Sequence, residues 1–129
     1  MADTLWLLDT SILIDVLRGS VLARRWIDTQ SISACAISVI TGAELLAGCR
    51  NLREQRVVER EINSYQILWL DESISHSAFD LYQRFHLSHN VGFFDCLIAA
   101  TALVRDLKIA TLNLRHFSVL RGVRAERPY

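Results

Sequence analysis

Short apolar segments with strand character alternate along this chain with longer segments of helical character. The strand candidates cover residues 5–8, 34–40, 67–70 and 108–111. Strands separated by helices need crossover connections, which produce a parallel sheet with helices on both faces. The alternation therefore predicts an α/β fold with a central parallel sheet.

Capping and turn residues divide the rest of the sequence into helices. The predicted helices begin after Asp9-Thr10-Ser11, at Val21, at Thr41, after Asn51, after Asp71 and at Phe93. Residues 88–92 are predicted to be a loop, because Ser, Asn and Gly favour turns. Ligands of parallel sheets bind at the carboxyl ends of strands, so polar residues that follow a strand are the first functional candidates.

The length and cysteine usage constrain the class of protein. A chain of 129 residues fits one domain, taken as residues 1–129. The longest apolar stretch, residues 91–104, contains Asp95 and is shorter than the roughly 20 residues of a membrane helix. The N-terminus shows no signal-peptide pattern, and the three cysteines form no CxxC motif. These features predict a cytoplasmic protein with reduced thiols and no membrane span.

The charges balance overall but are unevenly distributed. The chain has 14 basic and 14 acidic residues, and residues 105–129 contain six basic and two acidic ones. Thirteen of the basic residues are arginine, whose planar side chain pairs well with phosphate oxygens. A phosphate-bearing partner is compatible with this basic C-terminal segment.

Asp9 interrupts the apolar run LWLLDTSILID at the point where the first strand meets the first helix. One explanation is a helix N-cap. Thr10 and Ser11 could cap the same helix, so the alternative is a functional carboxylate at the carboxyl end of the strand.

Two further polar residues have structural explanations of their own. Thr41-Gly-Ala-Glu44 matches a capping box, in which Glu44 reaches back to the amide of the cap residue. Asn113 follows the last predicted strand, where asparagine commonly forms a turn or caps a helix.

Asp95 is harder to explain by local structure alone. It lies near the start of the predicted helix FFDCLIAATALVRD, which is apolar on nearly all sides and therefore central. An unpaired carboxylate on a buried helix is unfavourable, so Asp95 is expected to face a cleft or a cation.

In a parallel sheet, Asp9, Glu44, Asp95 and Asn113 can meet at one edge. Three neighbouring carboxylates repel one another, and a divalent cation relieves that repulsion. All-oxygen ligation suits Mg²⁺ or Mn²⁺ and argues against zinc. Such an ion supports phosphodiester hydrolysis, so the residues indicate cleavage of a nucleic acid.

Four segments, taken in order, resemble one known family. LLDTSILID, ISVITGAELLAG, DCLIAATAL and IATLNLRHFSVL are similar to the PIN domain family and, within it, to the VapC-type toxins of bacterial toxin–antitoxin pairs. The resemblance covers residues 5–129. It implies a three-layer α/β/α domain and a Mg²⁺- or Mn²⁺-dependent endoribonuclease.

The resemblance also assigns roles to residues. Asp9, Glu44 and Asp95 are expected to bind the metal, and Asn113 falls on a fourth position that is often Asp. Asn113 is therefore expected to support catalysis by orienting water or completing the metal shell. Thr10 and Thr111 are expected to contact the metal ligands and orient them without binding the metal themselves.

The partners implied by the resemblance are RNA, a cognate VapB-type antitoxin and a second copy of the chain. Leu45, Leu46 and the helix at 52–65 are expected to form part of a groove that receives an antitoxin segment. A homodimer and a toxin–antitoxin hetero-oligomer are expected as assemblies. The alternative is a non-catalytic PIN-like module that binds RNA or protein, which the neutral Asn113 mildly favours and the three acids oppose.

Overall fold

In a computed structural model, which describes residues 4–129, five parallel strands form one central sheet. The strands are β1 (Trp6–Leu8), β2 (Cys35–Ser38), β3 (Gln66–Leu68), β4 (Lys108–Ala110) and β5 (Ala125–Glu126). Their order across the sheet is β3-β2-β1-β4-β5, and every neighbouring pair is parallel. The predicted parallel sheet is thus confirmed.

Helices cover both faces of this sheet. They are α1 (Thr10–Leu17), α2 (Val21–Gln30), α3 (Val39–Ala47), α4 (Leu52–Ile62), α5 (Glu72–His89), α6 (Phe93–Arg105) and α7 (Leu114–Ser118), with a 3₁₀ turn at Ile32–Ala34. Helices α1 to α4 supply the core on one face, and α5 to α7 supply it on the other. The three-layer α/β/α arrangement is confirmed.

The two cores follow from the alternation of side chains along each strand. Leu7 packs with the α5–α6 core, whereas the next residue, Leu8, packs with the α1–α4 core. Ile109 and Ala110 divide in the same way. The central strands are apolar at consecutive positions because both of their faces are covered.

The strand order places a crevice at the carboxyl edge of β1 and β4. From β1 the chain moves to β2 and β3 on one side, and later returns to β4 on the other side of β1. The amide of Asp9 donates to the carbonyl of Ala110 at 2.9 Å, so the ends of β1 and β4 are in register. Ligands bind at such a reversal of strand order.

The capping box predicted at Thr41 and Glu44 is wrong. Helix α3 begins at Val39, and its N-cap is Ser38, whose hydroxyl accepts the amide of Ile40 at 3.0 Å. The strand predicted at 34–40 therefore ends at Ser38. Thr41 and Glu44 lie inside α3, so Glu44 does not open the helix as expected.

The loop predicted at 88–92 is shorter than expected. Helix α5 continues through Ser88 and ends at His89, and its C-cap residue, Asn90, has a φ of 53°. Asparagine adopts this left-handed conformation more readily than most residues, which explains the stop. Helix α4 also ends earlier than predicted, at Ile62.

Within residues 4–129, no helix has the length and apolar character that a membrane crossing requires. Cys35 and Cys96 are buried and Cys49 is partly exposed, and all three are free thiols. Burial raises the pKa of the Cys35 and Cys96 thiols to about 11.

Candidate active site

Asp9 lies at the carboxyl end of β1 and is almost fully buried, with 4% of its surface exposed. It occupies the N-cap position of α1, but its side chain accepts no capping hydrogen bond from that helix. Instead, Oδ2 accepts the hydroxyl of Ser11 at 2.9 Å and that of Thr111 at 2.8 Å. Both hydroxyls bind the same oxygen, which leaves Oδ1 free of them. The side chain of Asp9 therefore does not cap α1, which favours the alternative of a functional carboxylate.

Glu44 reaches the same edge from α3. Its Oε1 accepts the hydroxyl of Thr10 at 2.7 Å. Thr41, one helical turn before Glu44, places its hydroxyl oxygen 3.0 Å from that of Thr10. The contact explains why two polar residues stand inside an otherwise apolar helix.

Asp95 is the third residue of α6, near its N-terminus. Its side chain is 31% exposed, and its Oδ2 lies 3.4 Å from Nδ1 of His116 on α7. The N-terminal end of a helix stabilises a carboxylate by a fraction of a kcal/mol, roughly 0.3–1. Asp95 is therefore not enclosed in the core, which agrees with the expectation that it faces a cleft.

Asn113 lies just after β4, at the N-cap position of α7. Its side chain caps nothing in that helix, and its backbone amide donates to Thr111 Oγ1 at 2.9 Å. Thr111 thus connects Asn113 to Asp9. The exposed Asn113 side chain remains available at the mouth of the crevice.

The three carboxylates influence one another electrostatically. Burial raises the pKa of Glu44, repulsion from Asp95 and Asp9 adds to this, and the Thr10 hydrogen bond opposes it. Burial also raises the pKa of Asp95, with repulsion from Asp9 adding and His116 opposing. Asp9, Glu44 and Asp95 therefore lie within electrostatic range of one another.

A hard divalent cation fits this site by donor chemistry and by charge. All three donors are carboxylates, which Mg²⁺ and Mn²⁺ prefer, and their mutual repulsion would be relieved by positive charge. As they stand, no three Asp, Glu, His or Cys side chains in the described part of the chain are close enough to hold a metal ion. The partly exposed Glu44 and Asp95 side chains would have to turn toward it.

Two polar residues of the site were not selected from the sequence. The sequence predicts Ser11 only as a helix cap, yet in the structure its hydroxyl donates to Asp9 and accepts the amide of Leu112 at 3.0 Å. His116 has no local sequence signal for a role at the site, because its contact with Asp95 depends on how α7 packs. For Ser11 there was one local signal, namely that Asp9-Thr10-Ser11 contains more capping residues than one helix needs.

A groove of about 700 Å³ begins at Glu44 and runs between α1, α3 and α4. Ile14, Leu17, Leu45, Val57 and Val58 line it with apolar surface, and Arg18, Arg50 and Arg53 also line it. Leu45 and residues of α4 thus line a groove, as expected, and its occupation by an antitoxin segment stays a prediction. Leu46 and Leu52 are exposed but are not among its lining residues.

The basic C-terminal segment is partly neutralised by its own neighbours. Arg124 pairs with Asp106 at 2.8 Å, and Lys108 pairs with Glu126 at 2.9 Å. Arg115, on α7 next to His116, is exposed. The positive charge available near the site is therefore smaller than the composition indicated.

Comparisons with known proteins agree with this architecture. A family model described as PIN domain matches residues 6–122. Ribonuclease VapC10 from Mycobacterium tuberculosis is 42% identical over 120 residues, which cover 92% of this chain and 90% of the relative.

Two solved structures share the fold over nearly the whole chain. A crystal structure of DNA-bound VapBC from Salmonella typhimurium superposes with a TM-score of 0.86 at 29% identity and covers 95% of this chain and 97% of that one. A toxin–antitoxin complex from Klebsiella pneumoniae gives a TM-score of 0.80 at 26% identity, with the same two coverages. From its sequence, its sheet order and these similarities, the chain belongs to the PIN domain family and, within it, to the VapC group.

Proposed function

We propose that this protein is a metal-dependent endoribonuclease that acts as the toxin of a toxin–antitoxin pair. The observation that supports this most directly is that Asp9, Glu44 and Asp95, near the reversal point of the sheet, lie within electrostatic range of one another. Its relative VapC10 is named a ribonuclease. The substrate is RNA, and the place of action is the cytoplasm.

Asp9, Glu44 and Asp95 would hold Mg²⁺ or Mn²⁺. When bound, such an ion lowers the pKa of water and stabilises charge on a phosphate undergoing hydrolysis. The protein's own contribution is to fix the carboxylates. Ser11 and Thr111 hold Asp9, and Thr10 holds Glu44.

Asn113 and Arg115 act at the mouth of the crevice in this proposal. Asn113 offers a neutral amide to water or to the metal shell, and its position is fixed through Thr111. Arg115 is exposed next to the site and can contact an RNA phosphate by paired hydrogen bonds.

The groove beside Glu44 is the proposed binding site for an amphipathic segment of a VapB-type antitoxin. Its floor is apolar, and an amphipathic helix commonly binds such a groove. Because Glu44 lines both the groove and the acidic site, a bound antitoxin would obstruct the approach of RNA. We also propose a homodimer of the chain and a hetero-oligomer with the antitoxin.

The test is cleavage of a mixed cellular RNA pool by antitoxin-free protein, with Mg²⁺ or Mn²⁺ compared against chelator. Asp95→Asn, prepared identically, exposes any contaminating nuclease. Asp80→Asn is the matched control, because Asp80 is an exposed α5 carboxylate that pairs only with Arg84 at 3.2 Å among the contacts described.

Discrete products that require metal and Asp95, and that persist in Asp80→Asn, are the expected result. Asp9→Asn is expected to abolish cleavage in the same way. Equal cleavage by wild type and Asp95→Asn, or cleavage in chelator, contradicts the proposal. Metal binding without any cleavage favours the non-catalytic module, for which the neutral Asn113 is the supporting observation.

A further inference from the structure

His116 contacts Asp95 from a rigidly anchored position. Its side chain is 61% exposed, yet its Nδ1 lies 3.4 Å from Oδ2 of Asp95. The next residue, Phe117, is 1% exposed and belongs to the core between α5, α6 and the sheet. The amide of His116 also donates to the carbonyl of Asn113 at 3.0 Å. The backbone of His116 is therefore fixed by core packing, although its ring faces solvent.

The contact gives the third carboxylate a polar neighbour, as nearby hydroxyls do for the other two. Asp9 accepts hydroxyls from Ser11 and Thr111, and Glu44 accepts one from Thr10. Asp95 has the His116 ring in the corresponding place. Outer contacts of this kind orient the side chains that bind a metal.

One short segment serves two of these carboxylates. Thr111 holds Asp9 across a sequence separation of 102 residues, and its hydroxyl also accepts the amide of Asn113. Three residues after Asn113, His116 reaches Asp95. The segment after β4 thereby sets the relative positions of a strand-end carboxylate and a helix-start carboxylate.

We propose that His116 is a positioning residue that orients the Asp95 carboxylate for metal binding. The inference rests on the proposed function, because it concerns the same acidic site. It requires only an N–H at Nδ1, which the charged ring and one neutral tautomer both carry. His116 is not required to bind RNA or to exchange a proton.

The experiment compares three substitutions at this position. In His116→Asn, the amide nitrogen stands where Nδ1 stands, one bond beyond Cγ, so the donor is kept. In His116→Gln the amide nitrogen lies one atom further out, and in His116→Ala the donor is lost. His76→Ala is the control for loss of an exposed imidazole beside a carboxylate, because His76 lies 3.6 Å from Glu72 on α5.

Three measurements separate positioning from other roles. Mn²⁺ affinity is measured by titration calorimetry without RNA, kcat and KM are measured on the RNA cleaved by wild type, and thermal unfolding is followed in chelator. His116→Ala is expected to bind Mn²⁺ about 10- to 100-fold more weakly. Its kcat should fall while KM is unchanged. His116→Asn should restore most of the affinity, and His116→Gln should not.

Unchanged Mn²⁺ affinity in His116→Ala overturns the inference, as do equal affinities of His116→Asn and His116→Ala. A rise in KM alone also overturns it, because that result assigns His116 to RNA binding. If wild type neither binds Mn²⁺ nor cleaves RNA, the proposed function itself fails and this inference fails with it. The wild-type measurement thus distinguishes the two failures.

Discussion

Thr10 donates a 2.7 Å hydrogen bond to Oε1 of Glu44 and so joins the first turn of α1 to the middle of α3. Helices α1 and α3 follow adjacent strands, β1 and β2, so this bond lies at the carboxyl edge of the sheet. The hydroxyl oxygen of Thr41, also on α3, lies 3.0 Å from the same Thr10 oxygen. The acidic site is therefore part of the packing between two helices.

Glu44→Gln is expected to stabilise the metal-free protein at neutral pH. The folded state raises the pKa of Glu44 above its usual value of 4.5, chiefly by burial, so the folded state disfavours the ionised carboxylate. The Gln carbonyl can still accept the Thr10 hydroxyl. Unfolding in chelator, followed by circular dichroism, should give a higher melting temperature for the variant at pH 7.

The same comparison has a predicted pH dependence. Well below pH 4.5 Glu44 is protonated in both the folded and the unfolded state, so its ionisation does not separate the two proteins. As pH rises through 4.5 and then through the raised pKa, the unfolded state releases its proton first, and wild type loses stability relative to the variant. Added Mn²⁺ should stabilise wild type more than Glu44→Gln. A lower melting temperature for the variant at pH 7 in chelator contradicts this prediction.

Thr111→Val is expected to reduce both stability and cleavage. Thr111 is fully buried, and the substitution removes the donor to Asp9 and the acceptor for the Asn113 amide. Leaving such groups unsatisfied costs about 1–3 kcal/mol. Urea unfolding measures the stability, and the RNA assay measures the activity.

Thr101→Val is the matched control for this substitution. Thr101 is equally buried, but its hydroxyl donates only to the Leu97 carbonyl of its own helix, at 2.8 Å. Cleavage should be retained in this variant. Retained cleavage in Thr111→Val would show that Asp9 does not need the Thr111 contact.

Ser38→Ala is expected to lower the free energy of unfolding by about 1 kcal/mol, a typical value for loss of an N-cap. Ser38 accepts the Ile40 amide, and its side chain is fully buried where β2 becomes α3. Urea unfolding checks this value. Unchanged stability would contradict the assignment of Ser38 as the cap of this helix.

Cys49 is expected to be the first cysteine alkylated in the folded protein. Cys35 and Cys96 are buried and their pKa values are raised to about 11, so little reactive thiolate forms near pH 8. Mass spectrometry after brief iodoacetamide treatment should find one modified cysteine when folded and three in denaturant. Because Cys49 lines the groove, a bound antitoxin segment should slow its modification. Equal protection of all three cysteines in the free protein contradicts the expectation.

Within residues 4–129, the sequence by itself determined four of the five strands and six of the seven helices, and it placed Asp9 and Asp95 at the ends of such elements. The α/β alternation, the strand before Asp9 and the helix that begins beside Asp95 follow from local patterns of apolar, capping and turn residues. Those patterns predict secondary structure because the spacing of apolar residues along the chain matches the period of a helix or a strand. The short apolar strands and the Ala-rich α6 therefore agree closely with the structure.

Only the tertiary structure decided how the side chains meet. Local sequence assigned Glu44 to a capping box, whereas its partner is Thr10, 34 residues away. The contacts of Asp9 with Thr111 and of Asp95 with His116 likewise join distant segments. Such contacts depend on strand order and helix packing, and the residues that flank each side chain do not specify these. The strand order places Asp9, Glu44 and Asp95 near the same edge of the sheet, although they are far apart in the sequence.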